Sequence, residues 1–423
     1  MSASAFNAPP SIPSALDPPD RLALARDVGR LAVGAALGLP DDALVRRVAE
    51  RLGGRTGAAA EAFGRWAEQE GVAALIAPSL RRRVGPDRVS AVIPDLLDDT
   101  ARRVALRALA LSDDRARSQS ALAAEGVPWR PIKGAWLADN AYRSPDVRPM
   151  ADTDVFVPGA MLAAADRALT SLGYARGVQS WKHIVYRRPG EAVVDPRGEH
   201  VDNPRPMEVH PRWGDAFRGV WLDVGAMDGE RLGGPPYACA EPWPDRAAMM
   251  IHVAAHATVD ALGRRLRLLA LVDAAVLAAQ LTAAEWQAVR RSAGNARAAR
   301  FVWPALALAR RDLGAAIPDD VLATLAGHVR PALRRWLDDV DVDCVGRHGA
   351  GARRSFFEVP RIWPIDARER RTVWRWILWP PRAALVDREP RWASSALWPM
   401  AYARHTVFLG RGACRRLRQR RGA

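Results

Sequence analysis

Lys133 is one of only two lysines in the 423-residue chain, which uses arginine for nearly every other positive charge. It is followed by Gly134, directly before a predicted helix. An ammonium group and the backbone N–H groups at a helix N-terminus both attract phosphate oxygens. The Lys-Gly turn therefore predicts a phosphate-binding site. Arg148 is a candidate for a further phosphate contact, and Lys182 is a second cation that can touch the substrate.

Two aspartates, Asp152 and Asp154, lie on a short apolar segment predicted as a strand over Ala151–Val157. Side chains alternate along a strand, so both carboxylates point to one face, roughly 6.5 Å apart at the backbone. At that distance they repel each other by about 2.5 kcal/mol at an effective dielectric constant near 20. A magnesium ion relieves this repulsion, because it binds one or two carboxylates and completes its shell with water and substrate phosphates.

Glu208 supplies a third acid, within the predicted strand Met207–His210. Glu208 and His210 share a face of this strand. If it neighbours the strand of Asp152, the three carboxylates form one cluster that can hold two metal ions in a phosphoryl transfer. His210 is then expected to hydrogen-bond either the metal-site acids or the hydroxyl group of an acceptor.

Hydrophobic periodicity predicts the elements that must position these side chains. Five regions are expected: a disordered arm (1–19), an N-terminal helical region (20–125), a core of mixed strands and helices (126–240), a helical domain (241–340), and a Trp/Arg-rich helical segment with a loose basic tail from Arg411 (341–423). Strands are predicted over 127–132, 151–157, 183–187 and 207–210. The order of elements favours a mixed sheet flanked by helices, which is an α+β fold.

The run Ile132-Lys133-Gly134, followed by Tyr142, Arg148, Asp152-Thr153-Asp154 and then Glu208-Val209-His210, resembles the bacterial family described as uncharacterised nucleotidyltransferases. That family belongs to the DNA-polymerase-β-like nucleotidyltransferase superfamily. The resemblance is strongest over about residues 126–215. It continues more weakly through His252-x-x-x-His256, Arg267-Leu268-Leu269, Asp273 and Trp379-Pro380-Pro381.

The resemblance implies a polymerase-β-like core and an enzyme that transfers a nucleotidyl group from a nucleoside triphosphate such as ATP. The implied cofactor is Mg²⁺ (or Mn²⁺), and the acceptor is an unidentified hydroxyl or phosphate on a peptide, a small molecule or RNA. Asp152, Asp154 and Glu208 match the catalytic, metal-binding acids of the family. The implied nucleotide-binding residues are Lys133, Gly134, Arg148, His210 and Lys182. The third acid is Glu where Asp is commoner, and Lys-Gly replaces the usual Gly-Ser or Gly-Gly turn.

Two other functions remain open at this stage. One is a catalytically silent protein that binds a nucleotide or a partner and regulates a biosynthetic pathway; the other is an Asp-x-Asp glycosyltransferase. A zinc-peptidase function is disfavoured, because the helix of His252 and His256 lacks the glutamate of a metalloprotease. These histidines are expected to pack or hydrogen-bond between helices, with Asp273 as a candidate partner.

The net charge of +15 is concentrated at the C-terminus, where residues 351–423 contain 17 Arg and only 5 acidic residues. This excess predicts an acidic partner, a nucleic acid or an anionic membrane face. The segment holds six of the 16 tryptophans, and we interpret most of it as a helical cap. Three widely spaced cysteines, no secretory signal and no bilayer-length apolar stretch predict a cytoplasmic protein.

Overall fold

The computed structural model describes residues 17–39, 41–52, 58–83, 92–195, 199–229, 245–263, 265–345, 359–386, 390–393 and 395–421. Five helices precede the sheet: α1 (Pro18–Leu37), α2 (Asp42–Leu52), α3 (Ala58–Gln69), α4 (Ala73–Arg83) and α5 (Val92–Ala124). Two lie among the strands, α6 (Lys133–Asn140) and α7 (Leu162–Ser171), and α8 (Val224–Gly229) directly follows the last strand. The helices that follow are α9 (Arg246–Gly263), α10 (Leu268–Ala278), α11 (Ala283–Ala293), α12 (Ala296–Leu308), α13 (Asp319–Gly327), α14 (Pro331–Asp338), α15 (Val342–Val345), α16 (Val359–Ile362), α17 (Ala367–Leu378), α18 (Arg382–Leu385), α19 (Pro390–Ala393) and α20 (Trp398–Arg421).

The strands form a five-stranded mixed sheet and a separate hairpin. The sheet contains β1 (Arg130–Pro131), β2 (Thr153–Phe156), β3 (Ala175–Gln179), β4 (Ile184–Arg187) and β5 (Met207–His210), in the order β1-β2-β5-β4-β3. Strands β2 and β5 run parallel at its centre, and the other pairs are antiparallel. The hairpin consists of β6 (Gly214–Phe217) and β7 (Val220–Asp223). The α+β class and the strands predicted over 151–157, 183–187 and 207–210 are confirmed.

The two faces of the sheet have different roles. Val155, Met207 and Val209 point to one face, where they pack with residues of α5 and α7 such as Leu122 and Leu169 in a buried apolar cluster. Their neighbours along each strand alternate to the other face, which lines an open cleft. The apolar face therefore fixes the sheet against helices and leaves the opposite face for polar side chains.

The helices before and after the sheet share one hydrophobic core. Leu24 of α1, Trp66 of α3, Val272 of α10 and Phe301 of α12 belong to the same cluster of buried side chains. Local signals set the helix ends: Asp17 caps α1, and Thr282 with Glu285 forms a capping box at the start of α11. Among the described helices, none combines the length and apolar composition that a bilayer crossing needs.

Several elements differ from the sequence prediction. Strand β3, strand β6 and strand β7 were not predicted, and β1 is shorter than the predicted strand over 127–132. Helix α1 begins at Pro18, inside the predicted arm, whose residues 1–16 lie outside the described residues. The prediction of a loose tail from Arg411 is wrong, because α20 continues to Arg421.

Candidate active site

The register of the central strands brings the predicted acids to one face of the sheet. Asp154 is paired with Glu208 across the parallel β2–β5 ladder. On the other side of β5, Ile184 is paired with Val209, so continuing this antiparallel register by one residue places His183 opposite His210. Opposite residues share a face. The prediction that the strands of Asp154 and Glu208 are neighbours is confirmed.

Asp154 is the most enclosed acid of the cluster. Its Oδ1 accepts a hydrogen bond from Lys133 Nζ at 2.8 Å and lies 2.6 Å from His210 Nε2. Burial alone would raise the pKa of this carboxyl group, but Lys133 and His210 hold it well below its usual range. Asp154 is therefore ionised, and a hydrogen bond between His210 and an acid of the cluster, as predicted, is confirmed.

Asp152 has the opposite electrostatic environment. Burial, together with the negative charge of Asp154, raises its pKa to about 6, although Lys133 and Arg148 partly offset this. A carboxyl group in such surroundings lacks a counter-charge. The Asp152 side of the cluster is therefore where an additional cation would be most stabilising.

The turn that carries Lys133 has an unusual backbone conformation. Lys133 is the first residue of α6 and has φ of 48°, in the left-handed region, which costs roughly 1–2 kcal/mol for a residue with a Cβ. The N-cap residue Ile132 offers no side-chain hydrogen bond to the helix, so the first N–H groups keep free donor capacity. Burial tends to lower the pKa of Lys133, but the charges of Asp154, Glu208 and Asp215 raise it, which keeps the ammonium group protonated.

Arg148 packs against this turn and is bound to a carboxylate. It donates two hydrogen bonds to Asp273, at 2.9 and 2.7 Å, and Tyr142 donates a third to the same acid at 2.6 Å. A Cβ on Gly134 would lie 2.4 Å from Arg148 Nη1, which explains why glycine is needed there. Arg148 Nη1 has one long bond of 3.4 Å, to Pro149 O, so it retains donor capacity beside the turn.

A second buried acid, Asp215 on β6, lies close to the first cluster. It forms an ion pair with Lys182, and its Oδ2 lies 2.8 Å from His256 Nδ1. Burial would raise the pKa of Asp215, but Lys182 and His256 hold it well below its usual range. Lys182, predicted to contact substrate, thus already has a carboxylate partner. The suggested pairing of the two helix α9 histidines with Asp273 is wrong, because His256 contacts Asp215 and His252 accepts a hydrogen bond from Trp213.

Glu208 is flanked by two imidazole rings. Among the described residues, one set of three or more potential ligands has its ligand atoms within 4.8 Å of one another, and it consists of His183, Glu208 and His210. Burial lowers the pKa of His183 to about 3 and that of His210 to about 4. Both rings are therefore neutral near pH 7 and keep a lone pair. The carboxylates and imidazoles together have the donor chemistry of a divalent-metal site.

Lys133, Asp152, Asp154, His183 and Glu208 line a large open cleft of about 1510 Å³. Typical small-molecule sites have roughly 300–1,000 Å³, so the cleft has room for more than one substrate. Trp181 at its margin packs edge-on against Trp221 and Trp376, with ring centroids 5.6 and 4.6 Å apart. The lining of the cleft also includes residues of the C-terminal helices, among them Leu385 and Phe408.

A family model described as "Uncharacterised nucleotidyltransferase" matches residues 56–314, which is more than half of the chain. The chain belongs to this nucleotidyltransferase family. The matched region contains every predicted site residue, from Lys133 to Glu208 and His210, and it also contains Asp273. No curated protein and no solved structure gives a significant match. The family resemblance noted from the sequence is confirmed.

Some residues of this family member's site could not be identified from sequence motifs. His183 follows Lys182 in the chain, but its approach to Glu208 depends on the pairing of β4 with β5. Asp215 follows a single glycine and has no motif around it. Its only advance signal was an acid a few residues after the Glu-x-His strand, which is too common to be diagnostic.

Proposed function

We propose that the protein transfers a nucleotidyl group from a nucleoside triphosphate to an acceptor, in a metal-dependent reaction on a polymerase-β-like core. One observation carries the proposal: Asp154 and Glu208 are paired across two parallel strands, with Asp152 beside them. Lys133 Nζ lies 2.8 Å from Asp154 Oδ1. In the reaction, an acceptor oxygen attacks the α-phosphorus, the bond to the bridging oxygen breaks, and pyrophosphate leaves. Catalysis is mainly positioning and charge neutralisation.

Asp152, Asp154 and Glu208 would hold Mg²⁺ (or Mn²⁺), which supplies positive charge to the phosphate oxygens. The raised pKa of Asp152 supports this assignment, because burial and the charge of Asp154 both disfavour its ionised form, and a bound cation would offset both effects. The donor set also fits, since hard divalent cations prefer carboxylate oxygens. Asp154 already has Lys133 as a counter-ion. A bound metal ion would therefore stabilise the ionised form of Asp152 more than that of Asp154.

Lys133 and the free N–H groups at the start of α6 would bind the triphosphate. The strained Lys133 backbone supports this role, because such conformations persist where the surrounding structure enforces them, often at ligand sites. Arg148 has a positioning role in the proposal: it is held by Asp273 and packs against Gly134, so it fixes the shape of the turn. Its Nη1 would add a phosphate contact.

The acceptor would occupy the part of the cleft that faces the C-terminal helices. The cleft volume supports a second substrate. The lining of the cleft combines apolar side chains such as Leu385 and Phe408 with arginines such as Arg187 and Arg218. This chemistry suits an acceptor with apolar groups and negative charge, such as an acidic peptide. The strongly basic C-terminal segment remains a candidate surface for an acidic partner or nucleic acid.

Incubation with each α-labelled nucleoside triphosphate, magnesium and a panel of peptide, small-molecule and RNA acceptors tests the proposal. Wild type is expected to transfer label and release pyrophosphate, and Asp154→Asn to lose at least about 100-fold in rate. Asp139→Asn, which removes an acid at the exposed end of α6, is the matched control and should retain the wild-type rate. Transfer that survives Asp154→Asn contradicts the site assignment.

Two other outcomes distinguish the remaining functions. Magnesium-dependent binding of a nucleoside triphosphate without pyrophosphate release would favour a catalytically silent regulator. Protection from heat by a nucleotide-sugar, but not by ATP or CTP, would favour a glycosyltransferase.

A further inference from the structure

Two histidines beside Glu208 give one side of the site a donor set that magnesium does not require. We propose that His183, Glu208 and His210 bind a divalent transition-metal ion of the zinc type. This inference deepens the proposed function by assigning an ion to the Glu208 side of the site. It rests on the proposed function only for the role of the ion in nucleotidyl transfer, since metal binding can be measured without any reaction.

The distances match those of a three-ligand site. The three ligand atoms lie within 4.8 Å of one another, and His183 Nδ1 is 3.3 Å from Glu208 Oε2. Two ligands each about 2.1 Å from one tetrahedral ion are about 3.4 Å apart. His210 Nε2 is 3.9 Å from the same Glu208 oxygen, so a small side-chain movement suffices to close the set. Three protein ligands leave a fourth position for water or a substrate oxygen.

The buried state of His183 provides a second observation. Its Nδ1 is shielded from solvent and makes no hydrogen bond, although Glu208 Oε2 is near, because the geometry is unsuitable. A buried nitrogen without a hydrogen-bond partner is uncommon in a folded protein, and an absent ion is one of the ordinary reasons for it. A metal ion between His183 and Glu208 would give this nitrogen a partner.

His210 would change its partner when the ion binds. Its Nε2 lies 2.6 Å from Asp154 Oδ1, so coordination through this nitrogen would replace that hydrogen bond. Lys133 also binds Asp154 Oδ1, so the charge of that acid is largely compensated. The ion is thus expected to be held by Glu208 and the two imidazoles, a combination suited to zinc, cobalt or manganese.

Metal retention tests the inference on the full-length protein. Wild type is dialysed with a small excess of Zn²⁺ in the presence of a large excess of Mg²⁺, and bound zinc is measured by atomic emission. Co²⁺ is then substituted, and its visible absorption reports imidazole coordination. One equivalent of zinc per chain is expected, with affinity reduced about 100-fold or more in His183→Ala. His200→Ala, which removes a histidine outside this cluster, is the matched control and should bind as wild type.

Glu208→Gln is the second ligand variant, in case His183→Ala does not fold, and it should lose zinc in the same way. Wild type that retains no zinc against magnesium, or ligand variants that retain as much as wild type, would overturn the inference. Asp152→Asn separates the two proposals, because it should keep the zinc but lose label transfer. If wild type binds zinc but transfers no label, the proposed function is contradicted and the zinc site stands. If wild type transfers label but binds no zinc, the zinc site is contradicted and the proposed function stands.

Discussion

Replacing Arg107 with methionine tests how the two acid-bearing strands are held in place. Arg107 lies on α5 and is 1% exposed. Its guanidinium group donates to the carbonyl oxygens of Met150 (2.8 Å) and Ala151, just before Asp152. It also donates to three carbonyl oxygens of the segment that leads into β5, those of His200 (2.7 Å), Asn203 (3.0 Å) and Pro204 (2.9 Å). One side chain therefore ties together the chain segments that deliver Asp152 and Glu208.

The expected loss of stability follows from how these bonds are buried. The bonds to Met150 O and Asn203 O are fully buried, and the other three are partly buried. A hydrogen bond from a charged donor contributes roughly 1.5–3 kcal/mol, and water can replace the partly buried ones. The two buried bonds then dominate, and we expect Arg107→Met to lower the free energy of unfolding by about 3–5 kcal/mol. Arg107→Lys should recover little, because an ammonium group lacks the planar fork.

Urea denaturation and label transfer are the assays. Arg103, one turn earlier on α5, is the matched control: its guanidinium group bonds side chains, including those of Glu68 and Asp99, and is partly exposed. Arg103→Met should lose less than about 1 kcal/mol. In soluble Arg107→Met, a shift of the acids by about 1 Å should slow transfer roughly 100-fold. An Arg107→Met protein as stable and as active as the Arg103→Met control would refute this reasoning.

Two further predictions concern the turn and a buried acid. Gly134→Ala should lower the free energy of unfolding, measured by urea denaturation, by about 1–3 kcal/mol, because the new Cβ displaces Arg148 from Asp273. In the control Gly159→Ala, the new Cβ meets no atom within 4 Å, so this variant should be as stable as wild type. Equal effects of the two substitutions would contradict the packing argument. Burial raises the pKa of Glu70 to about 7. The contribution of this group to the free energy of unfolding is therefore complete below about pH 4.5 and is lost as the pH rises through 7. In wild type, the free energy of unfolding should therefore fall by up to about 3 kcal/mol between pH 5 and pH 8, and Glu70→Gln should abolish this fall. Urea denaturation of both proteins at both pH values measures the difference. The same fall in both proteins would exclude Glu70 as its cause.

The sequence was most informative where local pattern and chemistry coincide. Asp152 and Asp154 lie on an apolar strand, and Glu208 lies on another, so period-2 alternation alone assigned them to faces. That these strands are neighbours was inferred from the chemistry of the acids, and the ladder Asp154–Glu208 confirms it; the parallel direction was not predicted. Here the residues that need a common metal ion also reveal which strands are neighbours.

Contacts that depend on long-range pairing were not predictable in this way. His183 reaches Glu208 only because β4 pairs antiparallel with β5 in a register that no local motif encodes. Asp215 lies on a four-residue strand of a short hairpin, and its sequence Gly214-Asp215-Ala216-Phe217 contains none of the β-branched residues that indicate a strand. Arg148 was assigned to phosphate from its charge, but its partner Asp273 lies 125 residues away in the chain.

The charges on the site face bear on how many ions the protein alone can hold. Asp152, Asp154 and Glu208 carry three negative charges when ionised, and Lys133 returns one positive charge. The flanking imidazoles add none near pH 7, since burial holds the pKa of each well below that range. The remaining charge is balanced by a single divalent cation. Under the proposed function, the counter-charge for a second ion must then come from the triphosphate, so nucleotide and metal should each strengthen the binding of the other.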